Sequence, residues 1–272
     1  MRNPRLSFFW ILLAIVTCLP LAAQTGSSEQ ATTSTASGAL SATDRLFLSF
    51  AEEATLVDRQ WWEGQAEIQD ASGFDARILR GVAAFQPWTD VEFGGRVGFG
   101  DTSLPGTLPD GSGATDLDLW AKYHFGSGGK TEFAAGGVAT VPTGDDTAGL
   151  GHDSFSLGAF GSMRYHGDRF VFAGNLGVRG NGDGRIFGID LNGETSITAG
   201  AGVLIPTDSR LTFVGEARYE SQRFNGFDAD TRLLGGINLG VGTGGVFRAA
   251  LAFGLSDGAP DGQLIVGYAA TF

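Results

Sequence analysis

Cysteine is nearly missing: the single one in 272 residues is Cys18. It lies inside an N-terminal export signal, so no disulfide framework is expected in the mature chain. Proline is scarce at 8, which excludes a collagen-like chain despite 44 glycines. After the N-terminus no apolar run reaches the length of a membrane-spanning helix, so any crossing of a bilayer has to use strands. Positive charge is also in deficit. Lys and Arg total 18 against 30 Asp and Glu, a net charge of −12, which argues against a nucleic-acid partner.

Few groups are available for catalysis. His124, His152 and His166 are the three histidines, and only His152 has nearby partners, Asp153 and Ser154, for a Ser–His arrangement. Adjacency in sequence is weak evidence of geometry, so no enzyme is expected. Gly180 to Gly184 neither follows a parallel strand nor opens a helix, which excludes a phosphate loop. It has the outline of a calcium turn without the remaining ligands. No cofactor or metal is expected, and the Asp-rich connections read as solvated loops.

What the chain does have is period-two alternation. Met1 to Ala23 reads as a secretory signal, with Arg2 and Arg5 ahead of the apolar Phe8 to Leu19 and Leu21-Ala22-Ala23 as cleavage site. Residues 24–59 form a leader. Its first part is Ser/Thr/Ala-rich and flexible. Its second part, Asp44 to Arg59, alternates Leu46, Leu48 and Phe50 before Glu52, Glu53 and Asp58, and fits a short helix, an inserted plug or an extra strand equally well. From residue 60 to 272 strands are expected at 60–71, 75–85, 90–100, 115–125, 131–141, 155–166, 169–180, 193–205, 210–221, 231–242, 246–255 and 262–272. Twelve antiparallel strands, with short turns at one end and mostly longer loops at the other, predict an all-β fold: a transmembrane up-and-down β-barrel.

The alternation also sorts the faces. In 115–125, Leu117, Leu119, Ala121, Tyr123 and Phe125 oppose Asp116, Asp118, Trp120, Lys122 and His124. Charges at mid-strand would be costly against lipid, about 2–4 kcal/mol for a cation, and cost little against a wet lumen. The expected lumen set is therefore Glu63, Glu67, Arg80, Glu92, Arg96, Asp116, Asp118, Lys122, Glu132, Arg164, Arg179, Glu216, Arg218, Glu220, Arg232 and Arg248. Eight acids and eight bases make either a ladder of ion pairs that shapes and partly fills the barrel or a substrate-selecting constriction. Aromatics near strand ends, Trp62, Trp88, Tyr123, Phe170 and Tyr268 among them, suit an interfacial girdle.

Two stretches carry resemblances. Leu264, Val266, Tyr268, Ala270 and Phe272 fall on one face of the last strand, which resembles the C-terminal strand of bacterial outer-membrane barrels. The resemblance implies that Tyr268 and Phe272 act as an assembly signal, with the barrel-assembly machinery and outer-membrane lipid as partners. Asp116-Leu117-Asp118-Leu119 leading to Lys122-Tyr123, then Pro142-Thr143-Gly144-Asp145, Gly149-Leu150-Gly151 and Arg164-Tyr165, resemble the outer-membrane barrel family associated with the meta-pathway of phenol degradation. Ala114-Thr115 departs from that family's usual glycine ahead of Asp116. The resemblance implies a bacterial outer-membrane transporter, hence a channel for passive uptake of small aromatic or hydrophobic molecules. A structural or adhesive barrel with a closed lumen is the alternative.

Overall fold

The computed structural model describes residues 45–57, 59–71, 74–104, 110–126, 129–207 and 210–271. The expected export signal, the leader as far as residue 44, and Phe272 lie outside the described residues.

From residue 60 onward, alternating sequence becomes strand. The elements are β1 (Gln60–Ala71), β2 (Phe74–Trp88), β3 (Val91–Ser103), β4 (Gly111–Ala114), β5 (Leu117–Phe125), β6 (Thr131–Val141), β7 (Ser156–His166) and β8 (Val171–Asn181). They continue with β9 (Gly184–Ile186), β10 (Ile189–Leu191), β11 (Thr195–Pro206), β12 (Leu211–Glu220), β13 (Asp230–Val241), β14 (Gly245–Gly254) and β15 (Gly262–Thr271). Each barrel strand pairs antiparallel with the next, and β15 pairs with β1 from Trp61↔Thr271 to Asp70↔Gly262, which closes the ring. Closure leaves no sheet edge with unpaired backbone, the condition for a sheet to sit in hydrocarbon.

β4 and β5 both pair with β3 and count as one interrupted wall strand, so the barrel has twelve. The interruption falls at Thr115 and Asp116. The Asp116 carboxylate accepts hydrogen bonds from the Gly144 and His152 amides at 3.0 and 3.1 Å, which draws this point of the chain out of the ladder toward the β6–β7 loop. The expected strand 115–125 thereby begins only at Leu117, and β4 lies ahead of its expected start. β2 extends past its expected end to Trp88 through a register irregularity between Phe85 and Trp88.

Hydrophobicity is inverted relative to a water-soluble barrel. Leu79, Val97, Phe99, Leu119, Leu157, Leu176, Ile197, Leu251 and Phe253 are exposed on the outer face, while Glu63, Glu92, Lys122, Arg164, Glu216 and Arg248 are buried inside. At the short-turn end the outer aromatics touch one another around part of the wall. Phe85 stacks on Phe93 at 5.7 Å, Tyr123 on Phe125 at 6.4 Å, and Phe125 on Phe133 at 6.1 Å. An apolar outer band ended by an aromatic girdle is the surface a bilayer requires.

Candidate functional site

The lumen is occupied. Residues 45–57 lie inside the barrel as a compact series of turns, and Leu46, Phe47, Leu48, Phe50, Leu56 and Val57 are all buried there. Two apolar patches on the inner wall receive them. Leu46, Phe47 and Leu48 pack with Val171, Leu204, Val214, Leu234, Ala250 and Ile265. Phe50 and Val57 pack with Trp61, Val82, Trp120 and Val246. Phe50 meets Trp61 at 5.4 Å and Trp120 edge-on at 6.0 Å. At about 1.5–3 kcal/mol for each large side chain fully removed from water, this contact is a substantial stabilising term.

Three wall glycines make the fit. A Cβ at Gly200 would come within 2.8 Å of Ser49 Oγ, one at Gly202 within 2.6 Å of Leu46 Cδ2, and one at Gly236 within 3.0 Å of Phe47 Cε2. At Gly202 all three nearest atoms belong to the Leu46 side chain, so a larger residue there would force Leu46 to shift.

Charged groups of the wall then hold its backbone. The Glu216 carboxylate accepts three consecutive amide hydrogen bonds, from Phe47 (3.0 Å), Leu48 (2.9 Å) and Ser49 (2.7 Å). Glu92 accepts the Val57 amide at 2.7 Å and the Trp120 indole N–H at 2.9 Å, and pairs with Lys122 at 3.1 Å. Lys122 in turn donates to the Glu53 carbonyl at 3.0 Å. Arg248 donates to the Leu46 carbonyl at 2.6 Å and to Glu63 at 2.7 Å. Arg218 donates to the Leu48 carbonyl at 3.2 Å. Glu53 of the segment pairs with Arg164 and, at 3.4 Å, with Arg45. Side chains that sequence alone puts on a polar wall thus satisfy the backbone of an irregular segment, which would otherwise be costly to bury.

The other residues of the expected lumen set pair with one another or with neighbours. Glu67 binds Arg80 at 2.8 Å and Gln263 at 3.2 Å. Arg96 binds Asp118 at 2.8 Å, and Asp118 accepts from Thr140 at 2.7 Å. Glu132 lies 3.7 Å from His124 and 3.2 Å from His166. Arg232 pairs with Asp230. Glu220 is approached by Arg179, Arg218 and Arg223. Asp116 sits apart at the long-loop mouth, holding the β6–β7 loop. Tyr268 is on the outer face of β15 and half exposed.

That mouth is partly roofed. Ala148 and Leu150 of the β6–β7 loop turn inward onto Ala76 and Ile78 of β2. The same loop reaches the connections that follow β8 and β12, where the His152 ring stacks on Phe224 at 5.4 Å and the His152 carbonyl accepts from the Arg185 amide of β9. Gly149, at φ +70°, lies against the Phe187 ring. Asp145 accepts from the Thr147 hydroxyl and from the Thr147 and Ala148 amides, and these bonds hold its carboxyl below the ordinary range. His152 and Ser154 do not form a catalytic pair, because the Ser154 hydroxyl donates to the Gly182 carbonyl. Among the described residues no group of three His, Cys, Asp or Glu is arranged to hold a metal ion.

Sequence reasoning left Arg45, Glu52 and Glu53 within a stretch for which an inserted plug was one of three readings, and did not place Trp61 or Asn238, which donates to the Arg45 carbonyl at 2.8 Å, in this site. One signal was present. Val203-Leu204-Ile205, Leu233-Leu234 and Leu264-Ile265-Val266 put aliphatic side chains on both faces of their strands. A water-filled lumen has no use for the inward ones.

No protein-family model matches this chain, and no curated protein does either. Solved structures do. The COG4313 outer membrane channel from Pseudomonas putida F1 superposes with a TM-score of 0.64 at 17% identity, over 81% of this chain and 98% of that one. The KdgM porin in complex with disordered oligogalacturonate gives 0.56 at 9% identity, over 78% and 99%. The NanC porin gives 0.54 at 8% identity, over 78% and 100%. The chain therefore has the fold of outer-membrane channels and porins. The likeness at these identities is one of architecture.

Proposed function

We propose that the protein is an outer-membrane channel for small solutes whose resting lumen is closed by residues 45–57. The observation that carries this reading is the seat of that segment: wall carboxylates and cations bind its backbone, and wall glycines shape its space. The outer apolar band, the aromatic girdle and the channel and porin neighbours support a bacterial outer-membrane location, reached by export on residues 1–23 and assembly through the strand that ends in Tyr268 to Phe272. This reading needs no catalytic arrangement. The resemblance to the phenol meta-pathway family, together with inward Val171, Leu204, Val214, Leu234 and Ile265, favours small aromatic or hydrophobic solutes, since these side chains would line the path once the segment moved.

The filled lumen also favours a second reading, a structural or adhesive barrel that conducts nothing. Planar-bilayer recording of the refolded protein with and without residues 45–57 separates the two. The channel reading expects low, intermittent conductance from the full chain and a steady ohmic pore from the deletion. A silent deletion barrel, shown to be folded by heat-modifiable gel migration, would sink it.

A further inference from the structure

Between residues 45–57 and the long-loop mouth, the inner wall carries more guanidinium donors than it uses. Arg179, near the end of β8, is 11% exposed at its side chain. Its Nε is buried with no hydrogen-bond partner among the described residues. Among the described residues its one ionic contact is with Glu220, at 3.9 Å. That carboxylate is already shared, with Arg218 at 3.7 Å and Arg223 at 3.7 Å. Arg218 has a second acid, Glu52 of the inserted segment, only at 4.0 Å. Three guanidinium groups therefore share Glu220 at long range, and none of them is within hydrogen-bond distance of it.

A second orphan donor lies on the adjacent strand. Ser156 pairs across with Asn181, and Gly158 with Arg179, so Ser156 and Arg179 share the inward face within one step of the ladder. Ser156 is 1% exposed and its hydroxyl has no partner among the described residues. Donors buried in this way are costly unless something accepts from them. A planar guanidinium edge with a hydroxyl beside it matches the two oxygens of a carboxylate.

We propose that Arg179, with Ser156 and the flanking Arg218 and Arg223, forms a binding site for the carboxylate of a small monoanionic solute in the outer part of the lumen. Glu220 is the internal competitor that the solute must outbid. Arg218 also donates to the Leu48 carbonyl, so the occupied site shares a residue with the hold on the inserted segment.

The site does not rest on the channel reading, because binding is measurable without flux. Benzoate is titrated calorimetrically into the full-length protein in detergent, with benzamide as its neutral isostere and inorganic phosphate as a second anion. Saturable benzoate binding is expected, with benzamide at least tenfold weaker and phosphate weaker than benzoate. Arg179→Gln should weaken benzoate at least tenfold. Glu220→Gln should tighten it severalfold by removing the competitor, a gain that damage to the fold would not produce. Equal binding of benzamide and benzoate, tighter binding of phosphate, unaltered binding in Arg179→Gln, or weakened binding in Glu220→Gln would each overturn the proposal.

Discussion

Glu216→Ala is expected to convert the full-length protein from a mostly closed barrel into one that conducts for much of the time. Three amides of residues 47–49 converge on that carboxylate at 2.7–3.0 Å, and the substitution leaves all three buried donors without that acceptor. A hydrogen bond to a charged group contributes roughly 1.5–3 kcal/mol net. Part of that is regained if water enters, so a shift of about 3 kcal/mol toward release is a reasonable scale. It corresponds to roughly two orders of magnitude in the open-to-closed ratio. The barrel wall should be unaffected, because Glu216 makes no salt bridge among the described residues and its strand register does not depend on its side chain. Single-channel open probability against that of the parent checks the prediction. An unchanged open probability would mean that the apolar contacts alone hold the segment.

The second large effect is on stability. Lys122 and Glu92 have no exposed side-chain surface and lie 3.1 Å apart. Lys122→Met leaves Glu92 charged and buried with only the Val57 amide and the Trp120 indole as donors. Removing one partner of a buried pair typically costs about 3–5 kcal/mol, whereas replacing both by apolar groups of similar volume is often neutral. The single substitution should therefore lower the urea midpoint for unfolding from lipid vesicles. The double substitution Glu92→Leu/Lys122→Met should recover most of that loss in the wall. Because Glu92 also holds Val57, the double variant should additionally conduct more than the parent. A single variant as stable as the parent would show that water reaches this pair.

The barrel was legible in the sequence because its code is local. Inward and outward residues alternate every second position, so the strand 131–141 could be read from its own residues with no knowledge of its neighbours. The interrupted β4–β5 strand was not, because Asp116 is drawn away by the amides of Gly144 and His152, 28 and 36 residues further on. The β9–β10 hairpin was missed for a different reason. Its two-residue turn has Phe187 at φ +50° and Gly188 at φ +77°, a turn type usually announced by Asn-Gly or Asp-Gly. The occupant of the lumen was the least legible part. Leu46, Leu48 and Phe50 alternate like a strand, while the actual conformation is imposed by Glu216, Arg248 and Lys122, which are remote in the chain. A charged wall balanced eight against eight looked the same from sequence whether its partners were one another, water or a folded segment.

The most direct test of the occupied lumen is a cross-link. Gly202 and Leu46 face each other so closely that a Cβ at 202 would lie 3.4 Å from Leu46 Cγ, the place a cysteine sulfur would take, so Leu46→Cys and Gly202→Cys put two thiols within reach of each other. The only natural cysteine is Cys18, which falls within the expected export signal. In outer membranes under mild oxidation the double variant should form the intramolecular bond in high yield. In bilayers it should then stay closed until reductant is added. Failure to cross-link, or an oxidised protein that conducts as well as a barrel lacking residues 45–57, would contradict the closed lumen.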